Sequence, residues 1–132
     1  MKKQFNKIKN FLLELNYNIT HEDENEGILM IQNEDEGISN LIIGVANPIL
    51  IIEQYIFKIT TPNDMVFKEL LKKNRDIVHG AFVLDETGEK VIFRDTLQLE
   101  NIDLNELEGS INSLSLLLSE YSENIIEFSK SK

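Results

Sequence analysis

The residues best able to do chemistry crowd into one stretch, IVHGAFVLDETGEKVIFRDTLQL at 77–99, which holds His79, Asp85, Glu86, Glu89, Arg94 and Asp95. A histidine, several carboxylates and a guanidinium are the parts of a general acid–base site. The same stretch alternates Ala81, Val83, Val91 and Phe93 with Phe82, Leu84 and Ile92 on either side of DETGE. That is the pattern of a β-hairpin, with a type I turn closed by Gly88 in a left-handed conformation. The charges then fall at the tip or along one flank of a ribbon.

The other candidates weaken on their spacing. His21 and His79 lie far apart with no third ligand of matching spacing, so His79 reads as structural. Ser110, Ser113, Ser115, Ser119 and Ser122 share a helical segment without a G-x-S-x-G elbow, and read as solvated helix surface. In the acidic run HEDENEG, Asp23, Asn25 and Glu34 match an EF-hand loop, but Ile28 stands where the loop needs glycine. Glu14, Glu53, Asp85, Glu86 and Asp95 show no pairing that would separate their acidities, and read as solvated charge. The expectation is a protein that is not an enzyme, with no cofactor and no metal.

The elements that position these residues follow from length and pattern. A chain of 132 residues fits a single domain spanning 1–132 with one unstapled core. There is no cysteine, which removes disulfides and thiolate chemistry and suits a reducing cytoplasm. The net charge of −10 repels phosphate backbones and anionic headgroups, so neither nucleic acid nor membrane is the expected partner. The basic run MKKQFNKIKN reads as the exposed face of a helix and not as a targeting segment.

Phe5, Ile8, Phe11, Leu12 and Leu15 predict an amphipathic helix over about 2–16, ended by Asn16 and Asn18. Residues 27–60 read as a three-stranded antiparallel meander, with Tyr17–His21 as a candidate extra strand. On its third strand Ile49, Ile51, Tyr55 and Phe57 point one way and Leu50, Ile52 and Ile56 the other. Both faces are apolar, so something must cover the second. Thr61-Pro62-Asn63-Asp64 opens a short helix to Asn74, with Met65, Phe67, Leu70 and Leu71 as its buried stripe. Asp103-Leu-Asn-Glu106 caps a last helix over 103–129, whose seam runs Leu104, Leu107, Ile111, Leu114, Leu118, Tyr121, Ile125, Phe128. At roughly 40 Å it should overhang its sheet or bend around it.

In that order of elements, LLKKNRDIVHGAFVLDETGEKVIFRDTLQLENIDLNELEGSINSLSLLLSEY resembles the second half of the YbjN-like and type III secretion chaperone-like domains. Asn74, Arg75, Gly80, Phe82, Leu84, Asp85, Phe93 and Arg94 carry the resemblance, over about residues 62–128; over 1–61 only the order of elements supports it. The resemblance implies an α+β fold, an antiparallel sheet of about five strands packed by three helices in the order α-β-β-β-α-β-β-α. It also implies a small acidic protein, homodimeric, that holds a partly unfolded client segment against apolar surface on the first helix and the sheet. The candidate contacts are Leu13 on the first helix and Ile49, Ile51 and Tyr55 on the third strand. The alternative is a small-molecule-binding or regulatory domain with a pocket between the sheet and the long C-terminal helix.

Overall fold

The computed structural model describes residues 2–59 and 64–130, with side chains through residue 127. Helix α1 (Lys2–Glu14) leads into strands β1 (Asn18–Asp23), β2 (Ile28–Asn33), β3 (Ile38–Ala46) and β4 (Ile49–Lys58). Helix α2 (Asp64–Asn74), strands β5 (Ala81–Leu84) and β6 (Lys90–Gln98), and helix α3 (Leu104–Lys130) complete the chain. All strand pairs are antiparallel, in one six-stranded sheet of order β1-β2-β3-β4-β6-β5. The extra strand considered at Tyr17–His21 is β1, so the order is α-β-β-β-β-α-β-β-α. The expected cap Thr61-Pro62-Asn63 lies outside the described residues, as does the side chain of Phe128.

Local chemistry fixes the joints. Asn16 takes a left-handed φ of 64°. The Asn16 and Tyr17 amides donate to the Leu13 and Leu12 carbonyls at 3.0 and 3.1 Å, which is a Schellman closure of α1. At the other end of the chain Asp103 accepts from the Glu106 amide at 2.8 Å and caps α3. The β5–β6 tip is the expected turn: Gly88, φ 75°, donates to the Asp85 carbonyl at 3.0 Å. The Asp85 carboxylate accepts from the Thr87 hydroxyl at 2.8 Å, which holds its pKa below the usual carboxylate range.

The core lies on one face of the sheet. Leu29, Ile31, Leu41, Ile43, Leu50 and Ile52 are buried there with Phe5, Ile8 and Leu12 of α1 and Leu107, Ile111 and Leu114 of α3. These packed side chains occupy the space between sheet and α3 where the alternative reading places a pocket. Two bulges adjust which residues face inward. Asn40, φ 52°, is extra in β3 and lets Ile38 and Leu41 both point to the core. Ile56 is extra in β4, so Phe57 joins Leu50 and Ile52 inside instead of lying beside Tyr55 as alternation predicts.

Two helices also bury a different stripe from the one expected. In α2, Val66 and Leu70 are buried and Phe67 is half-buried, while Met65 and Leu71 are exposed. Residues 66 and 70 stack one turn apart, whereas 65 and 71 project to the far side. In α3, Leu117 and Ser110 are buried beside the seam, because a helix packed on a sheet hides a broader face than a heptad seam. Past Leu117, Leu118, Tyr121 and Ile125 are only partly buried and Ile126 is exposed, as an overhanging helix requires.

Polar anchors hold the corner formed by a 3-10 turn at Glu34–Glu36. Buried Gln54 donates to the Gly37 carbonyl at 3.2 Å and accepts from the Ser39 amide at 3.0 Å. Ser115 of α3 donates to the Glu36 carbonyl at 2.8 Å. The Tyr17 hydroxyl is hydrogen-bonded to the Glu36 carboxylate, and burial, with Glu36 and Glu108, pushes its pKa up to about 12.

Two outcomes follow. Tyrosine in the unfolded chain ionises near its ordinary 10.0 and in the fold only near about 12, so stability is full below pH 10 and falls as pH rises through 12. Urea titrations across that window should show a smaller fall for Tyr17→Phe than for the parent. Gly80 has φ 83°, and a Cβ on it would stand 2.5 Å from the Phe93 ring. Gly80→Ala should cost on the order of 2 kcal/mol in the same assay.

Candidate functional site

Alternation sends every second strand residue to the face away from the helices. There, Ile28 pairs with Gly44, Gly44 with Ile51, and Ile51 with Thr96; in the next row Met30, Ile42, Glu53, Arg94 and Ala81 run across the sheet. Tyr55 follows, paired with Ile92. Ile42 and Tyr55 are 41% and 54% exposed, and Ile49 and Ile51 are half-buried by neighbouring side chains alone. Glu53 and Arg94 form a cross-strand ion pair in the middle of this largely apolar surface, which Thr96 and Gln98 of β6 border.

The structure brings three of the four expected contacts together. Ile49, Ile51 and Tyr55 line this uncovered face on β4. Leu13 does not join them: it is 51% exposed on α1, in the helical layer across the sheet. Sequence reading missed Ile42 and Met30, which occupy the same face on the neighbouring strands. The signal was present as alternation within GILMIQ and NLIIGVA.

The groups with chemical potential are dispersed. Arg94 is engaged by Glu53 on the uncovered face. Asp95 points the other way, accepting from the Ser110 hydroxyl at 2.7 Å. His79 is in the loop before β5, where its carbonyl accepts from the Ser113 hydroxyl at 2.7 Å. Ser110, Ser113 and Ser115 are thus tethers between α3 and its neighbours, not solvated surface. Asp23 accepts from the Glu26 amide at 3.1 Å, as turn residues do. Among the described residues no helix is long and apolar enough to cross a membrane.

The residues carrying the family resemblance are mostly folding devices. The Asn74 side chain donates to the Phe82 carbonyl at 3.0 Å and accepts from the Phe82 amide at 2.7 Å. It thereby imitates a paired strand along the outer edge of β5. Phe82 pairs with Phe93 across the hairpin. Gly80 lets the chain pass over the Phe93 ring, and Asp85 builds the turn. Arg75 is exposed, and nothing in the structure explains its match.

The family model CesT_Tir_1 matches residues 1–131, so the chain belongs to this family of CesT/Tir chaperone-like domains. Among solved structures the fold is similar to that of YbjN from E. coli, at 12% identity and a TM-score of 0.69, covering 90% of this chain and 91% of that one. It is also similar to a chain of the HopA1-SchA chaperone-effector complex, at 14% identity and TM-score 0.65, covering 90% and 94%. An uncharacterized protein from Methanothermobacter thermautotrophicus matches at 15% identity and TM-score 0.62, covering 96% and 99%. No curated protein matches the chain in sequence.

Asn74→Ala leaves the Phe82 amide and carbonyl without their side-chain partner. It should cost about 1–3 kcal/mol in urea unfolding and speed amide exchange at Phe82 more than at Phe93.

Proposed function

We propose that this chain is a non-catalytic polypeptide-binding module that holds an extended or partly unfolded client segment on the uncovered face of its sheet. The observation that carries this reading is that face itself. Among the described residues no helix covers Ile42, Ile49, Ile51 and Tyr55, which stand together, and burying the part of each that is still exposed contributes on the order of 1 kcal/mol. Family membership supports the reading, as does the similarity to a complex described as chaperone and effector.

An extended segment can also extend a sheet by pairing with an edge strand. The two edges differ. At β5 the Asn74 side chain already occupies the amide and carbonyl of Phe82. At β1 strand pairing is with β2 alone, so β1 is the edge we assign to strand addition. A client running over β1 from the uncovered face reaches the helical layer, where Leu13 is exposed.

Homodimerisation in a reducing cytoplasm completes the proposal. The surface suited to it is the corner of α2 and β5, where exposed Leu71 and Leu84 border an apolar groove of about 270 Å³ floored by Phe67 and Phe82. Val83 lines this groove and shares its row of the sheet with Ile92 and Tyr55, so the groove borders the client face at the β5 end.

The test is co-purification from native lysate with mass spectrometry, alongside sedimentation equilibrium. The parent should carry a stoichiometric polypeptide and sediment as a dimer. Ile51→Asp should lose the client by at least about tenfold while keeping its dimer and its circular dichroism; Leu71→Asp should do the reverse. A parent with no stoichiometric partner, and an Ile51→Asp variant indistinguishable from it, would refute the reading.

A further inference from the structure

The loop joining α2 to β5 folds back on α3 and leaves an open groove of about 280 Å³. Val78 and Leu116 form its apolar walls, 86% and 61% exposed, and Asp76 and Glu120 are among its lining residues. Tyr121 closes one end, with the Lys73 ammonium 4.6 Å from its ring centroid. Burial, with the charges of Glu120 and Asp76, raises the pKa of the Tyr121 hydroxyl, which places both carboxylates in electrostatic reach of that end. His79 and Asn112 add polar groups at the other.

Gly109 also lines the groove, inside α3. Glycine is a poor helix residue, and among the described residues no close contact demands it there. A Cβ would meet only the His79 ring nitrogen, at 4.0 Å, an ordinary contact. The missing side chain leaves bare helix backbone open to an incoming group.

We propose that this groove docks a basic amphipathic segment of a partner polypeptide. Apolar side chains would sit between Val78 and Leu116, over Gly109, and an arginine or lysine would reach Asp76 and Glu120. Complementarity of charge selects this occupant: two carboxylates, Asp76 and Glu120, outnumber the one ammonium, Lys73, at this end of an apolar channel, and the surplus attracts cations and repels an acidic chain. The inference rests on the reading that this protein binds polypeptide, but it names a second site, separate from the uncovered sheet face.

The test uses fluorescence anisotropy on the full chain, with two short labelled peptides sharing one leucine stripe, one carrying arginines and the other glutamates. The arginine peptide should bind and the glutamate peptide should not. Gly109→Leu, which fills the floor and favours helix, and the double variant Asp76→Asn/Glu120→Gln should each weaken binding by about fivefold or more. Glu24→Gln/Glu26→Gln, which removes as much charge at the β1–β2 turn, and Ile51→Asp should change nothing. Equal weakening by the turn control would mean diffuse attraction to an acidic protein and overturn the site. Parent-like binding by Gly109→Leu, or no binding by the parent, would overturn it too. Loss only in Ile51→Asp would move the peptide to the sheet face, refuting the groove while leaving the client reading intact.

Discussion

A strand presents side chains to both faces of its sheet in alternation, and helices laid on one face cannot satisfy the other. Here the constraint acts on six strands at once. The inner face is filled from α1 and α3 by side chains with no measurable exposure, such as Ile8, Leu41, Ile52 and Leu107. The outer face keeps isoleucines, a methionine and a tyrosine where a solvated antiparallel sheet ordinarily shows polar residues. The Glu53–Arg94 pair is the main polar interruption in its central rows. Partly exposed ion pairs of this kind contribute little to stability, about 0–1 kcal/mol. Their weight lies in hydration: they keep water on a surface that would otherwise favour indiscriminate contact.

Most of the fold could be read from the sequence because its signals are local. The Asn16 closure of α1, the DETGE turn and the Asp103 cap each depend on a few adjacent residues whose hydrogen bonds have no competitor. What escaped reading depends on partners distant in the chain. Nothing in ILIIEQYIFK announces that Ile56 is the extra residue; the bulge exists because Tyr55 and Phe57 pair with consecutive residues of β6. The α2 stripe was misplaced by counting apolar residues instead of angles, since β5 selects Val66 and Leu70 and leaves Met65 and Leu71 outside. Ser110 looked like surface because its partner, Asp95, is on another element.

The candidate site was legible to the same extent. Two apolar faces on one strand indicated that β4 had a side needing cover, and Ile49, Ile51 and Tyr55 do share that side. Leu13 was chosen because the resemblance implies client contacts on the first helix, and a helix pattern gives no information about which side of the sheet it will occupy. Its separation from the other three means that any single polypeptide touching all four has to cross an edge of the sheet.

In the proposed binding mode, the asparagine that ends α2 bears on which edge that is. Unpaired amides and carbonyls on an edge strand invite another strand. Asn74 fills those of Phe82 with its own amide, at the cost of holding the following loop in a fixed path. That fixed path turns His79 and Val78 back onto α3, where Ser113 tethers the loop and the groove beside Gly109 is left open. One side chain therefore does two jobs: it closes the β5 edge to strand addition and shapes the acidic groove beyond it. A client entering along β1 and a basic segment seated beside Gly109 would meet the protein on different elements, and neither would need to displace the other.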